Sequence, residues 1–150
     1  ANDFEIIHIT GVLGELVGSG RIKIKPGFFD GNGTITFHDA CKIQRKGGHI
    51  QEPRDILKVL APESFKEMSP NREEAVCCGG GGGVIAIKAA DSIRYAAFEL
   101  KIDQVNKVGA KTVTMTCSNC RLQYTDSVEH FNLDWKITGL AQMVADALVE

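Results

Sequence analysis

The 150 residues carry 17 Lys and Arg against 19 Asp and Glu, a net charge of −2, with 43% apolar and 24% charged side chains. That balance lacks the basic footprint of a nucleic-acid partner, and no apolar run reaches the ~18 residues of a membrane span, so neither nucleic-acid binding nor direct membrane insertion is expected. The length suits a single domain, 1–150, with a core large enough to fold without staples. The chain opens "ANDF" with no Met and reads as a piece of something longer.

In chain order, "DFEIIHI" alternates loosely and is expected to be a strand, followed by a short helix over "TGVLGELVGSG". "RIKIKPGFFDGNG" is a loop closed by turn residues, and "TITFHDA" is a strand with Ile35 and Phe37 inward. "EPRDILKVLAP" is a helix: Pro53 falls in its first turn, and Ile56, Leu57 and Leu60 share a face. "ESFKEM" reads as a short strand ended by "SPN", and "EEAV" as a strand end. The stretch from Val84 to Gly109 is expected to be one long helix. One stripe runs through Ile93, Ala97 and Leu100, another through Tyr95, Phe98, Ile102 and Val105, which predicts a helix covered on two sides. "KTVTMT" is a strand, "SNCRLQYTDSVEHF" a helix, "LDWKI" a strand and "TGLAQMVADALVE" a closing helix. Strands alternating with helices predict an α/β fold, with a mostly parallel sheet of four or five strands flanked by helices.

The five cysteines are an odd number with four in tight pairs, which suits cytoplasmic thiols held by a metal or used in redox work better than a secreted disulfide framework. Cys41, the pair Cys77 and Cys78, and the pair Cys117 and Cys120 all fall at or just beyond expected strand ends. In an open parallel sheet those ends share one edge, where ligand sites form. Convergence of all five sulfurs is therefore expected.

"CCGGGGG" adds the other requirements of a thiolate cluster. Glycines 79 to 83 (Gly79, Gly80, Gly81, Gly82, Gly83) can approach closely and aim backbone N–H groups at sulfur. A helix starting right after them would turn its positive end toward the thiolates. Ordering five glycines costs roughly 1–2 kcal/mol each, which a bound cofactor would offset. The run lacks the Lys-Ser/Thr of a phosphate loop. Four thiolates would satisfy zinc, but zinc has no use for a fifth; a sulfide-bridged iron cluster has more positions to fill. His38 and Asp39 read equally as proton-transfer groups beside the site or as an end-of-strand turn. Arg45, Lys46 and Arg54 are available to offset thiolate charge. A cofactor-free dithiol using only Cys117 and Cys120 also stays open.

Together, "HDACKIQRKGG…EPRDIL", "NREEAVCCGGGGG" and "TMTCSNC" resemble the cysteine-rich CCG domain of heterodisulfide reductase catalytic subunits and their relatives. The likeness runs from about Gly33 to the end. Within that family, "HDAC…R" followed by "NRE…CCG.GGG" is most similar to the heterodisulfide-reductase-like subunits of the dissimilatory sulfite reductase membrane complex. The resemblance implies a noncubane 4Fe-4S cluster held by Cys41, Cys77, Cys78, Cys117 and Cys120. At it a disulfide-type bond, in a heterodisulfide or a sulfur chain on a small carrier protein, is cleaved or formed. It also implies electrons from other subunits of a membrane-associated complex, and a cytoplasmic place at the inner face of the inner membrane. Zinc in a structural domain of such a complex is the alternative. The second inter-cysteine gap is a few residues longer than the family's, partly through the glycine run. Relatives commonly carry two such motifs and ferredoxin-type segments; this chain has one motif and none of those, and is expected to be the C-terminal catalytic domain of a longer subunit.

Overall fold

The computed structural model describes residues 3–149. Three short strands, β1 (Ile35–His38), β2 (Thr112–Met115) and β3 (Lys136–Gly139), form a parallel sheet in the order β1-β2-β3. Phe37 faces Thr114 in register, and Met115 faces Gly139. Among the described residues five α-helices surround it: α1 (Ile9–Gly18), α2 (Gln51–Leu60), α3 (Asp91–Val108), α4 (Ser118–His130) and α5 (Leu140–Asp146). The expected α/β architecture with a flanked parallel sheet is present, with three strands rather than four or five.

The side-chain alternation of the strands divides the interior into two cores. Ile35 and Phe37 pack with Ile56, Leu57 and Leu60 of α2 and Leu140, Met143 and Val144 of α5. Val113 and Met115 pack with Phe98 and Val105 of α3 and Cys120 and Tyr124 of α4. All residues of β1 and β2 are buried, as parallel strands covered on both faces must be. His38 therefore enters the second core, with its ring 5.1 Å from that of Tyr124.

The missing strands have local reasons. Residues 3–8 make no ladder and are largely exposed; His8 instead caps α1 through Nδ1 at 3.1 Å from the Thr10 N–H. "ESFKEM" contributes one parallel bridge, Phe65 to Ile35. "EEAV" is a 3₁₀ turn, Arg72–Glu74, running into extended chain, so Cys77 and Cys78 arrive on a loop and not at a strand end.

The long helix also starts later than expected. Two 3₁₀ turns, Val84–Ala86 and Lys88–Ala90, precede α3, which begins at Asp91, where the carboxylate accepts from Arg94 at 2.8 Å. It is covered on one side only. Ile93 and Leu100 are 70% and 56% exposed, while Arg94, Phe98, Lys101, Gln104 and Val105 form the buried stripe. Gly109 ends it in the left-handed region, at φ 69°.

Candidate metal centre

β1 ends at His38, and Cys41 opens a six-residue π-helical turn, Cys41–Lys46. Gln44 fixes that turn: its Oε1 accepts from the Ala40 N–H at 2.7 Å, and its Nε2 donates to Thr116 Oγ1 at 3.0 Å, across to the end of β2. The carboxyl ends of the two strands are thereby tied together, with Cys41 on one and Cys117 on the other.

Arg54 anchors the third approach. It is almost fully buried, donating to both Asp39 oxygens at 2.9 and 2.8 Å and to both Glu67 oxygens at 2.6 and 3.0 Å. Asp39 also accepts from the Arg72 N–H at 2.8 Å. Burial works against the guanidinium, but the two carboxylates outweigh it and hold its pKa above the usual value. Asp39 thus joins the end of β1 to α2 and to the segment leading into Cys77. Its oxygens are occupied by this network, and Arg54 is not a counter-charge to the thiols but the partner of two acids.

At the centre, Cys78 Sγ lies 3.4 Å from Cys120 Sγ. The thiols of Cys78 and Cys41 both act on the Cys77 thiol, the first raising its pKa and the second lowering it, so Cys41 and Cys77 lie beside the Cys78–Cys120 contact. Cys117 is the N-cap residue of α4, one turn before Cys120. The ring of His38 joins the group: one of its nitrogens and the Cys78 and Cys120 sulfurs all lie within 4.8 Å of one another. Both His38 nitrogens are buried without a hydrogen-bond partner among the described residues.

The glycine loop divides by role. The Gly79 N–H donates to Cys77 Sγ at 3.4 Å, and the Gly80 amide acts to lower the pKa of Cys78 against the larger raising effects. Gly79 has φ 88° and no room for a Cβ, which would stand 2.9 Å from the Arg94 carbonyl oxygen. Gly80 is packed against Gln123, and the Asn119 side chain donates to its carbonyl at 2.7 Å. Around Gly81, Gly82 and Gly83 a Cβ would meet nothing within 4 Å. Because α3 begins at Asp91, the helix whose amino end carries cysteines is α4: Cys117 caps it, Cys120 lies in its first turn, and no side chain caps it.

Two residues that sequence reasoning missed lie under the thiols. Lys101 is 1% exposed and donates to Gln104 at 2.7 Å; burial lowers its pKa to about 8, against the raising field of Cys78, Asp39, Cys77 and Cys120. Tyr124, one turn beyond Cys120, is fully buried, and its hydroxyl has no partner among the described residues. Burial raises its pKa well above the usual value, with the thiol sulfurs adding to the effect. Burial, and then the charge of Lys101, keeps His38 neutral well below its ordinary range. Contact with Cys120 pushes the Cys78 thiol up to about 12, and contact with Cys78 pushes Cys77 higher still above its ordinary value. The only signal for Lys101 in the sequence was its spacing with Arg94, Phe98 and Val105, which reads as core in a helix only once its partners are known.

The donor chemistry fits a thiophilic metal group. Neighbouring sulfurs, an imidazole without a hydrogen-bond partner among the described residues and a backbone amide donating to sulfur are what such a group requires. Thiols that stay protonated without metal must give up protons on binding it.

The dihydromethanophenazine:CoB–CoM heterodisulfide reductase of Methanosarcina barkeri has a subunit 31% identical over 97% of this chain and 34% of its own length. An Hdr-like menaquinol oxidoreductase iron–sulfur subunit of Archaeoglobus profundus is 27% identical over 95% of this chain and 26% of its own. A probable iron–sulfur-binding oxidoreductase of Bacillus subtilis, FadF, is 30% identical over 83% of this chain and 17% of its own. The chain thus spans about a third or less of these relatives. The CCG cysteine-rich domain pattern matches residues 35–125, from β1 into α4 and across every cysteine described above. This chain belongs to the CCG cysteine-rich domain family.

Proposed function

We propose that the chain is the iron–sulfur oxidoreductase domain of a longer subunit and that it cleaves or forms a disulfide-type bond. The observation that carries the reading is the Cys78–Cys120 sulfur contact with a buried His38 nitrogen within 4.8 Å of both sulfurs, and with Cys77 and Cys41 beside it. Cys117, at the N-cap of α4, completes the ligand set. A noncubane 4Fe-4S cluster held there would supply one-electron chemistry and an iron position open to sulfur.

The overall change is RSSR′ + 2 e⁻ + 2 H⁺ → RSH + R′SH, with electrons taken singly from redox groups in partner subunits. The amides of Gly79 and Gly80 and the amino end of α4 offset negative charge on sulfur. His38 relays a proton, accepting on one ring nitrogen and releasing from the other; Asp39 keeps the end of β1 in place through Arg54. The open flank beside Gly81, Gly82 and Gly83 leaves a way in for a heterodisulfide or a sulfur chain on a small carrier protein. The relatives' names support iron–sulfur and oxidoreductase chemistry and assembly with other subunits. No helix among the described residues is long and apolar enough to cross a membrane.

Zinc is the second reading, because His38, Cys78 and Cys120 alone already approximate three ligands of a tetrahedral site. The test is anaerobic single-turnover cleavage of a small disulfide by the iron- and sulfide-loaded chain with dithionite as reductant. Thiol release in step with dithionite oxidation, slowed about 100-fold in His38→Gln, is expected. No release above the metal-free chain contradicts the proposal.

A further inference from the structure

Four or more thiolates around a metal carry more negative charge than a divalent ion cancels, so the group they form needs a counter-charge. The basic residues that follow Cys41 in sequence do not supply it. Arg54 is held between Asp39 and Glu67, Arg45 donates to the Glu73 carbonyl oxygen at 2.8 Å, and Lys46 is exposed.

Lys101 is placed to do so. It lies between Phe98 and Val105 on the buried stripe of α3, and both of those pack in the core that holds Cys78 and Cys120. It is 1% exposed. Among the described residues its ammonium makes one hydrogen bond, to Gln104 Oε1 at 2.7 Å, and no ion pair. Gln104 is itself tied down, because its Nε2 donates to the Ser69 carbonyl oxygen at 3.2 Å. The negative groups that act on Lys101 are Cys78, Asp39, Cys77 and Cys120. Asp39 is engaged by Arg54 and the Arg72 N–H, and burial keeps His38 and Tyr124 uncharged. The sulfurs are what remain. A buried ammonium without an anion is costly, and negative charge arriving at the sulfurs would recover that cost.

We propose that Lys101 is the built-in counter-charge of the sulfur site: its ammonium offsets the negative charge of metal-bound thiolates and favours the reduced state of a cluster held by them. The counter-charge needs only thiolates on a metal; the effect on reduction rests on the iron–sulfur reading above. An added electron makes the bound group more negative, and a buried positive charge, little screened, favours that state.

The test compares the wild-type 150-residue chain with Lys101→Met and Lys101→Gln, both uncharged and of similar reach. Cadmium alone is titrated into the metal-free chain and followed by its thiolate absorbance, beside chemical denaturation without metal. Lys101→Met should bind cadmium about tenfold more weakly while being the more stable chain without metal near neutral pH. A merely structural lysine would move both in the same direction. Lys101→Gln keeps a donor for Gln104 but no charge, and should bind cadmium as weakly as Lys101→Met. In the chain loaded with iron and sulfide, a dithionite titration followed by EPR should show reduction disfavoured about tenfold in both variants, about 59 mV lower for a one-electron couple. Unchanged cadmium affinity in Lys101→Met, wild-type affinity in Lys101→Gln, or an unchanged potential overturns the assignment. The two readings separate. A cadmium deficit in chains that never take up iron and sulfide supports the counter-charge and removes the cluster. Uptake of iron and sulfide with equal potentials removes the counter-charge alone.

Discussion

A lysine with 1% exposure and only a glutamine for a partner is an uncommon thing to keep, and Lys101 keeps it beneath a group of sulfurs. In the metal-free chain it is a liability. Its folded pKa of about 8 lies below the usual 10.5, so between those values the unfolded chain binds more protons and stability rises with pH. Lys101→Met removes that dependence. By chemical denaturation of the metal-free protein, the variant should be the more stable near neutral pH, with the gap to wild type closing between about pH 8 and 10.5. A gap unchanged across that window would contradict the assignment of a buried, desolvated ammonium. Residues of this kind were the least legible in the sequence. Asp39, Arg54 and Glu67 meet only because β1, α2 and the loop after it are folded together, so nothing local marked Arg54 as buried or Asp39 as its anchor. The cysteines, by contrast, were legible as a set, because their spacing around expected strands is itself the signal.

Among the elements, β1, β2, α2 and α4 were readable because alternation or helical periodicity coincided with clear turn signals at their ends. "DFEIIHI" has strand composition but no neighbour to pair with, and composition cannot report a missing neighbour. The start of α3 was obscured by "VIAIKAAD", whose residues suit a helix; the left-handed Gly83, at φ 83°, and the Arg94–Asp91 pair set the turns and the true start. The glycine loop makes a sharp contrast between neighbours. Gly79→Ala forces a Cβ to 2.9 Å from a backbone oxygen at a positive φ and should cost about 1–3 kcal/mol of stability. Gly81→Ala meets nothing within 4 Å and should stay within about 0.5 kcal/mol of wild type. Chemical denaturation of the metal-free chain measures both; equal costs would contradict the division of the loop into a packed half and an open half.

Across the whole molecule, two cores on opposite faces of a small sheet leave one edge where β1, β2 and the loop carrying Cys77 and Cys78 come together. The Asp39–Arg54–Glu67 network and the Gln44–Thr116 bond hold that edge without metal, so Cys78 and Cys120 meet through the fold alone. The central claim is that this edge binds an iron–sulfur group through the cysteines. The most direct measurement is anaerobic loading with iron and sulfide, followed by metal and acid-labile sulfide analysis and EPR of the loaded chain. The account predicts iron and sulfide bound together in comparable amounts per chain, a paramagnetic signal in one redox state, and loss of all three in a Cys78→Ser, Cys120→Ser double variant that still folds. Stoichiometric zinc with no sulfide, or iron uptake that survives removal of both cysteines, would contradict it.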